Sequence, residues 1–151
     1  MLIRKAEPGE GENLSALCVR SKAHWGYDAR FMRLSQASLT ISDADIASAR
    51  VLVAEQGMVF GVARVEPDGE LGLMFVDPAA IGRGAGRLLF GAAADLARRL
   101  GARVMPILAD PNAAPFYERM GARLVAHAPS DAIPGRTLPL YDYDLMSGIS
   151  S

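Results

Sequence analysis

Apolar positions fall into two patterns along the chain. One recurs at helical spacing. Leu14, Leu17 and Cys18 mark a helix over Glu12–Ala23, and Phe31, Met32 and Leu34 a second over Asp28–Gln36. Leu88, Leu89, Ala92, Ala93, Leu96 and Leu100 form a longer helical stripe that Gly101 closes. The other pattern is the short strand-like run: Leu2–Ala6, Arg50–Glu55, Met58–Val65, Glu70–Val76, Arg103–Leu108, Ala122–His127 and Arg136–Leu145. Between Thr40 and Ala49, Ile41, Ala44 and Ile46 pack locally, and Ser42 or Asp43 caps a short turn of helix.

The punctuation orders these elements. Gln56-Gly57 and Pro67-Asp68-Gly69 are turns, so the runs around them read as an antiparallel meander. Gly61 inside a strand marks a bulge or a close approach. The helix from Leu88 to Leu100 separates two strands, a crossover that predicts parallel pairing between them. Asp110-Pro111-Asn112 starts a helix carrying Phe116, Tyr117 and Met120, and Gly121 ends it. The expected fold class is α/β, a mixed and largely antiparallel central sheet flanked by helices, in a single domain over residues 1–151.

Composition narrows the partners. Half of the 151 residues are hydrophobic and 22% are charged, which suits a chain with one core. Sixteen basic and 17 acidic side chains leave a net charge of -1, which argues against nucleic acid as a partner. The lone Cys18 makes no internal disulfide and reads as core. His24 and His127, without clustered Cys or carboxylates, make no metal site. No apolar run reaches transmembrane length, and Met1 leads into a charged strand, so no membrane role and a cytoplasmic location are expected.

The sharpest chemical signal is Val76-Asp77-Pro78-Ala79-Ala80-Ile81-Gly82-Arg83-Gly84-Ala85-Gly86-Arg87-Leu88-Leu89. A strand stops at Asp77-Pro78, alternating glycines follow, and a helix begins. That geometry suits a phosphate: successive amides converge, and the helix adds unpaired N–H groups and its positive end. Arg83 or Arg87 can add a charge-assisted contact. No Gly-Lys-Ser/Thr is present, so this is not a P-loop, and the turn comes too late in the chain for a dinucleotide fingerprint.

A second segment, Asn112-Ala113-Ala114-Pro115-Phe116-Tyr117-Glu118-Arg119-Met120-Gly121-Ala122, follows about 30 residues later. With both segments in this order, the chain resembles the GCN5-related N-acetyltransferase family from Leu2 to Leu145. The resemblance implies the acyl-CoA N-acyltransferase fold and acetyl transfer from acetyl-CoA to a primary amine of a small molecule or protein. A non-catalytic acyl-CoA sensor or scaffold on the same fold is the alternative. It further implies that Met74, Phe75, Val76, Ile81, Gly82, Arg83, Gly84, Ala85, Gly86, Arg87, Asn112, Phe116 and Tyr117 contact the cofactor. The strand before the loop splays from its neighbour in this family, and the N–H of Met74 or Phe75 is the oxyanion donor. Ile81 stands where the family usually has Gln or Arg, which removes a polar side-chain contact but no backbone donor.

The remaining roles are assigned in the same frame. Tyr117 matches the tyrosine that approaches the CoA sulfur, where a phenol donates to the departing thiolate. Asn112 caps its helix and lies near the cofactor arm. Glu70 is a candidate base or a solvated strand-end residue. His24, Trp25 and Tyr27 border the acceptor site, with His24 a candidate base or a helix C-cap. Acidic surroundings there would favour polyamine-like cations, and apolar ones a hydrophobic amine. Tyr141 and Tyr143, on one face of the last strand, suggest an acceptor wall or a homodimer contact.

Overall fold

The structure is a computed structural model, described here for residues 1–146. Two antiparallel sheets carry it. The first has the order β1-β2-β3-β4, from Leu2–Lys5, Val51–Gln56, Met58–Val65 and Leu71–Val76. The second has the order β5-β7-β6, from Val104–Leu108, Thr137–Asp144 and Arg123–Pro129. The helices are α1 (Gly11–Ala23), α2 (Ala29–Ser35), α3 (Asp43–Ala47), α4 (Ala85–Arg99) and α5 (Ala114–Arg119).

Strand alternation builds a core on each face of the first sheet. Val51 and Val53 of β2 pack with Leu14, Leu17 and Cys18 of α1. Leu52 and Ala54, the intervening residues, pack with Leu89, Phe90 and Ala93 of α4. Gly61 joins β3 to α4: a Cβ there would stand 2.8 Å from Leu89 Cδ1, and the register shifts opposite it, between Ala54 and Glu55. Ser42, not Asp43, caps α3, through a reciprocal pair of bonds with Asp45.

Three expectations are corrected. Leu88 and Leu100 are exposed; Leu89, Phe90, Ala93, Ala94, Leu96 and Ala97 form the buried stripe of α4 instead. Tyr141 is buried in the core, where its hydroxyl donates to Glu118, and Tyr143 packs on Phe90. Tyr141 is therefore core rather than part of a contact surface, while Tyr143 stays partly exposed. Finally, β4 and β5 lie side by side but form no ladder.

Pro106 contributes to the missing ladder. Ala109 N–H donates to Pro139 O and Leu145 N–H to Arg103 O, so odd-numbered residues of this stretch turn their amides to β7. The even-numbered residues face β4, and there Pro106 has no N–H to give.

Candidate active site

The gap between the two sheets opens into a cleft of about 540 Å³. Its floor is the unpaired edge of β4. Asp77 N–H donates to Phe60 O at 2.8 Å, and Val65 N–H donates to Arg50 O at 3.0 Å on the opposite side of β3. Bonding direction alternates along a strand, and Phe75 pairs with Val62. Residues 73, 75 and 77 therefore turn their amides to β3, whereas the N–H groups of Met74 and Val76 point into the cleft. Of the two oxyanion candidates, Met74 has the free amide; that of Phe75 belongs to the sheet.

At the far end of β4, buried Asp77 organises the glycine loop. Its Oδ1 accepts from Ala79 N–H at 3.0 Å and its Oδ2 from Arg20 at 2.8 Å. These bonds, led by Arg20, outweigh burial and hold its carboxyl below the usual range. A 3-10 turn over Pro78–Ala80 follows. Gly82 and Gly84 then take φ of 86° and 84°, a left-handed conformation that suits glycine and lets α4 begin at Ala85.

Arg83 N–H is taken by Ala80 O at 3.3 Å, so this amide drops out of the expected cradle. Among the described residues, the amides of Gly82, Gly84, Ala85, Gly86 and Arg87 donate to no carbonyl. Gly86 has a packing reason as well: a Cβ would stand 3.3 Å from the ring of Phe116. The exposed Arg83 guanidinium lies 5.8 Å from the Phe60 ring centre, and Arg87 and Ile81 are exposed at the rim. The donor set fits a diphosphate: successive backbone N–H groups, the positive end of a 15-residue helix and two nearby arginines.

α5 presents Tyr117, 5% exposed, to the cleft. Its hydroxyl bonds to no described residue. Burial, aided by the charge of Asp110, raises its pKa well above the ordinary tyrosine value. The phenol therefore keeps its proton through neutral and moderately alkaline pH, as a donor requires. Glu70 lies in the same cleft, one residue before β4. Burial first, then the charges of Asp68, Glu66 and Asp131, raise its pKa above the usual carboxylate value. A carboxylate shifted this way is a stronger base than one in water.

His24 and Trp25 line the cleft, their rings edge to face at 5.4 Å. His24 is also the C-cap of α1. Tyr27 departs from expectation. It is not on the cleft wall, because its hydroxyl donates to Asp110 and accepts from Asn112 and Arg136. Asn112 does not cap α5; the N-cap is Ala113, without a side-chain bond, and Asn112 reaches back to Tyr27 and Asp110. Cys18 is buried with its thiol pushed up to about 12 by burial, so it is chemically quiet. Lys22, Asp110 and Arg136 also border the cleft. The one signal for Asp110 was a carboxylate directly after a strand, which reads equally well as a helix start. Among the described residues, no group of three or more potential ligands can hold a metal, and no helix is long and apolar enough to cross a membrane.

A sequence model of the Acetyltransferase (GNAT) domain matches residues 47–121. The fold extends that match over nearly the whole chain. A GCN5-related N-acetyltransferase structure from Rhodopseudomonas palustris shares 23% identity at a TM-score of 0.77, covering 95% of this chain and 94% of that one. YncA from Salmonella typhimurium, solved with its cofactor acetyl-CoA, shares 24% at 0.69, covering 96% and 94%. The PaiA N-acetyltransferase from Thermoplasma acidophilum, in complex with coenzyme A, shares 13% at 0.74, covering 95% and 98%. No curated protein sequence matches. The chain belongs to the GCN5-related N-acetyltransferase (GNAT) family.

Proposed function

We propose that the protein transfers an acetyl group from acetyl-CoA to a primary amine within a ternary complex. The carrying observation is a set of free amides along and beside one cleft: Met74 and Val76 on the open edge of β4, and Gly82, Gly84, Ala85, Gly86 and Arg87 at the start of α4, of which Gly86 lines the cleft itself.

Acetyl-CoA supplies an activated acyl carbon, and the reaction exchanges its C–S bond for a C–N bond. The loop amides and the start of α4 hold the diphosphate. The Val76 N–H steadies the pantetheine arm, and the Met74 N–H donates to the carbonyl oxygen as negative charge develops there. Glu70, directly or through water, accepts the proton that leaves the attacking nitrogen. The Tyr117 hydroxyl donates its proton to the departing sulfur. His24 and Trp25 flank the incoming amine. Glu70 stands among Glu66, Asp68 and Asp131; Arg64 offsets Glu66 at 2.8 Å, and the other three carboxylates leave this end acidic, which favours an acceptor with positive charge.

Titration calorimetry and a thiol-release assay over an amine panel test the reading. Acetyl-CoA binds, and thiol is released faster with diamines than with neutral amines of equal length. No binding at millimolar acetyl-CoA overturns the proposal. Binding without thiol release from any amine turns the reading to the acyl-CoA sensor, which the exposed Ile81 at the loop favours.

A further inference from the structure

Segments far apart in the sequence converge on one carboxylate. Asp110 stands two residues beyond β5, with its side chain 11% exposed. Its Oδ2 accepts from Lys22 Nζ at 2.6 Å and from the Tyr27 hydroxyl at 2.8 Å. Its Oδ1 accepts from the Asn112 amide at 2.8 Å and from Asn112 Nδ2 at 3.0 Å. The Arg136 guanidinium lies 3.8 Å from Oδ2 and donates to the Tyr27 hydroxyl at 3.1 Å. That hydroxyl gives one bond and receives two, its full capacity. The Tyr27 ring stacks on Phe31 at 3.9 Å, and Arg136 covers both rings at 5.3 Å and 4.8 Å.

This knot joins two segments that line the same cleft as Glu70 and Tyr117. Lys22 and Tyr27 bracket His24 and Trp25. Arg136 ends the loop that begins at Ser130, whose N–H donates to Arg136 O at 2.8 Å, and Ala132 and Ile133 of that loop line the cleft. Both segments are fastened at the point where β5 leads into α5, the helix that carries Tyr117. Without the carboxylate, two half-buried cations would face each other with no anion between them, and the two segments would separate.

We propose that Asp110 is a positioning residue that fixes the acceptor wall, formed by residues 22–25 and 130–136, against Tyr117. This rests on the acetyl-transfer reading. The carboxylate touches neither reactant; it acts through the residues it holds.

Steady-state kinetics of Asp110→Ala, Asp110→Asn and Arg136→Ala test it, with acetyl-CoA affinity measured separately. Asp110→Ala raises the amine KM about tenfold, the scale of a lost charge-assisted bond. Its acetyl-CoA Kd stays within about twofold, because the loop at the start of α4 is untouched. Asp110→Asn, which keeps one acceptor for Tyr27 and Asn112, recovers most of the KM. Arg136→Ala shifts KM in the same direction, and the double variant is no worse than Asp110→Ala alone. An unchanged amine KM in both alanine variants overturns the proposal, as does an Asn variant no better than Ala, or a Kd that weakens in step with KM. If Asp110→Ala does not fold, Arg136→Ala decides. Hydrogen exchange separates this proposal from the catalytic one, since it needs no turnover. In Asp110→Ala, or in Arg136→Ala if the former does not fold, residues 22–28 and 130–137 lose protection together, and Asp110→Asn restores most of it; loss in only one segment, or in neither, overturns the positioning role even if acetyl transfer stands.

Discussion

At the residue scale, burial suits Tyr117 and Glu70 to the opposite tasks proposed for them. Tyr117 holds its proton more tightly than a tyrosine in water, and so does Glu70 compared with an exposed carboxylate. For the phenol, this secures the donor form. Tyr117→Phe should lower kcat roughly tenfold to a hundredfold while acetyl-CoA affinity moves less, because the hydroxyl matters when the thiolate leaves. Equal losses in kcat and affinity would show instead that the hydroxyl only binds. For Glu70 the shift has a thermodynamic sign. Its folded-state pKa lies above the unfolded one, so it imposes no penalty below the unfolded value, near pH 4, and destabilises the fold as pH rises through the folded value. Glu70→Gln should therefore raise Tm at pH 7 to 8, with the difference vanishing at about pH 4. Turnover should fall in the same variant, and the acidic limb of the kcat/KM profile should disappear with it. Thermal melts and rate profiles across pH check both halves.

At the element scale, the start of α4 depends on backbone shape more than on side chains. Nothing stands within 4 Å of a Cβ built on Gly84, so Gly84→Ala meets no clash. It meets only the penalty of a left-handed φ, about 1–2 kcal/mol. Chemical denaturation should report a loss of that size, and acetyl-CoA affinity should fall because the amides turn away. A variant that loses stability but keeps its affinity would remove the loop from the cofactor site. This element was legible in the sequence because alternating glycines before a helical stripe have a local physical cause. The parting of β4 and β5 was not, even though one contributor to it is a single residue. Pro106 reads as a strand residue until the bonding parity of β5 is known, and that parity is set by β7 more than 30 positions away. Tyr27 was misplaced for the same kind of reason. Its aromatic neighbourhood suggests a binding loop, but its partners Asp110 and Arg136 are distant in the chain. Glu70 was visible as a candidate, whereas the acidic surroundings that tune it include Asp131, brought in by another loop.

At the scale of the whole molecule, the fold is two antiparallel sheets whose facing edges are left unjoined. An unpaired strand edge is a liability unless something covers it. Here a ligand threaded between β4 and β5 would complete the hydrogen bonding that Pro106 withholds, so cofactor binding and fold stability should be linked. At a hundredfold excess over Kd, binding contributes about 2.7 kcal/mol. For a chain of this size that corresponds to a rise in Tm of roughly 5–11 °C. Heat alone would not locate the effect, but amide exchange would, because the edge alternates. The N–H groups of Met74 and Val76 point into the cleft, whereas Phe75 between them is bonded to β3. Saturating acetyl-CoA should slow exchange at Met74 and Val76 and leave Phe75 nearly unchanged, a pattern with a period of two. Protection spread evenly over residues 74–76 would indicate general tightening of the sheet. No protection at Met74 would leave the thioester without its carbonyl donor and place the acyl group elsewhere.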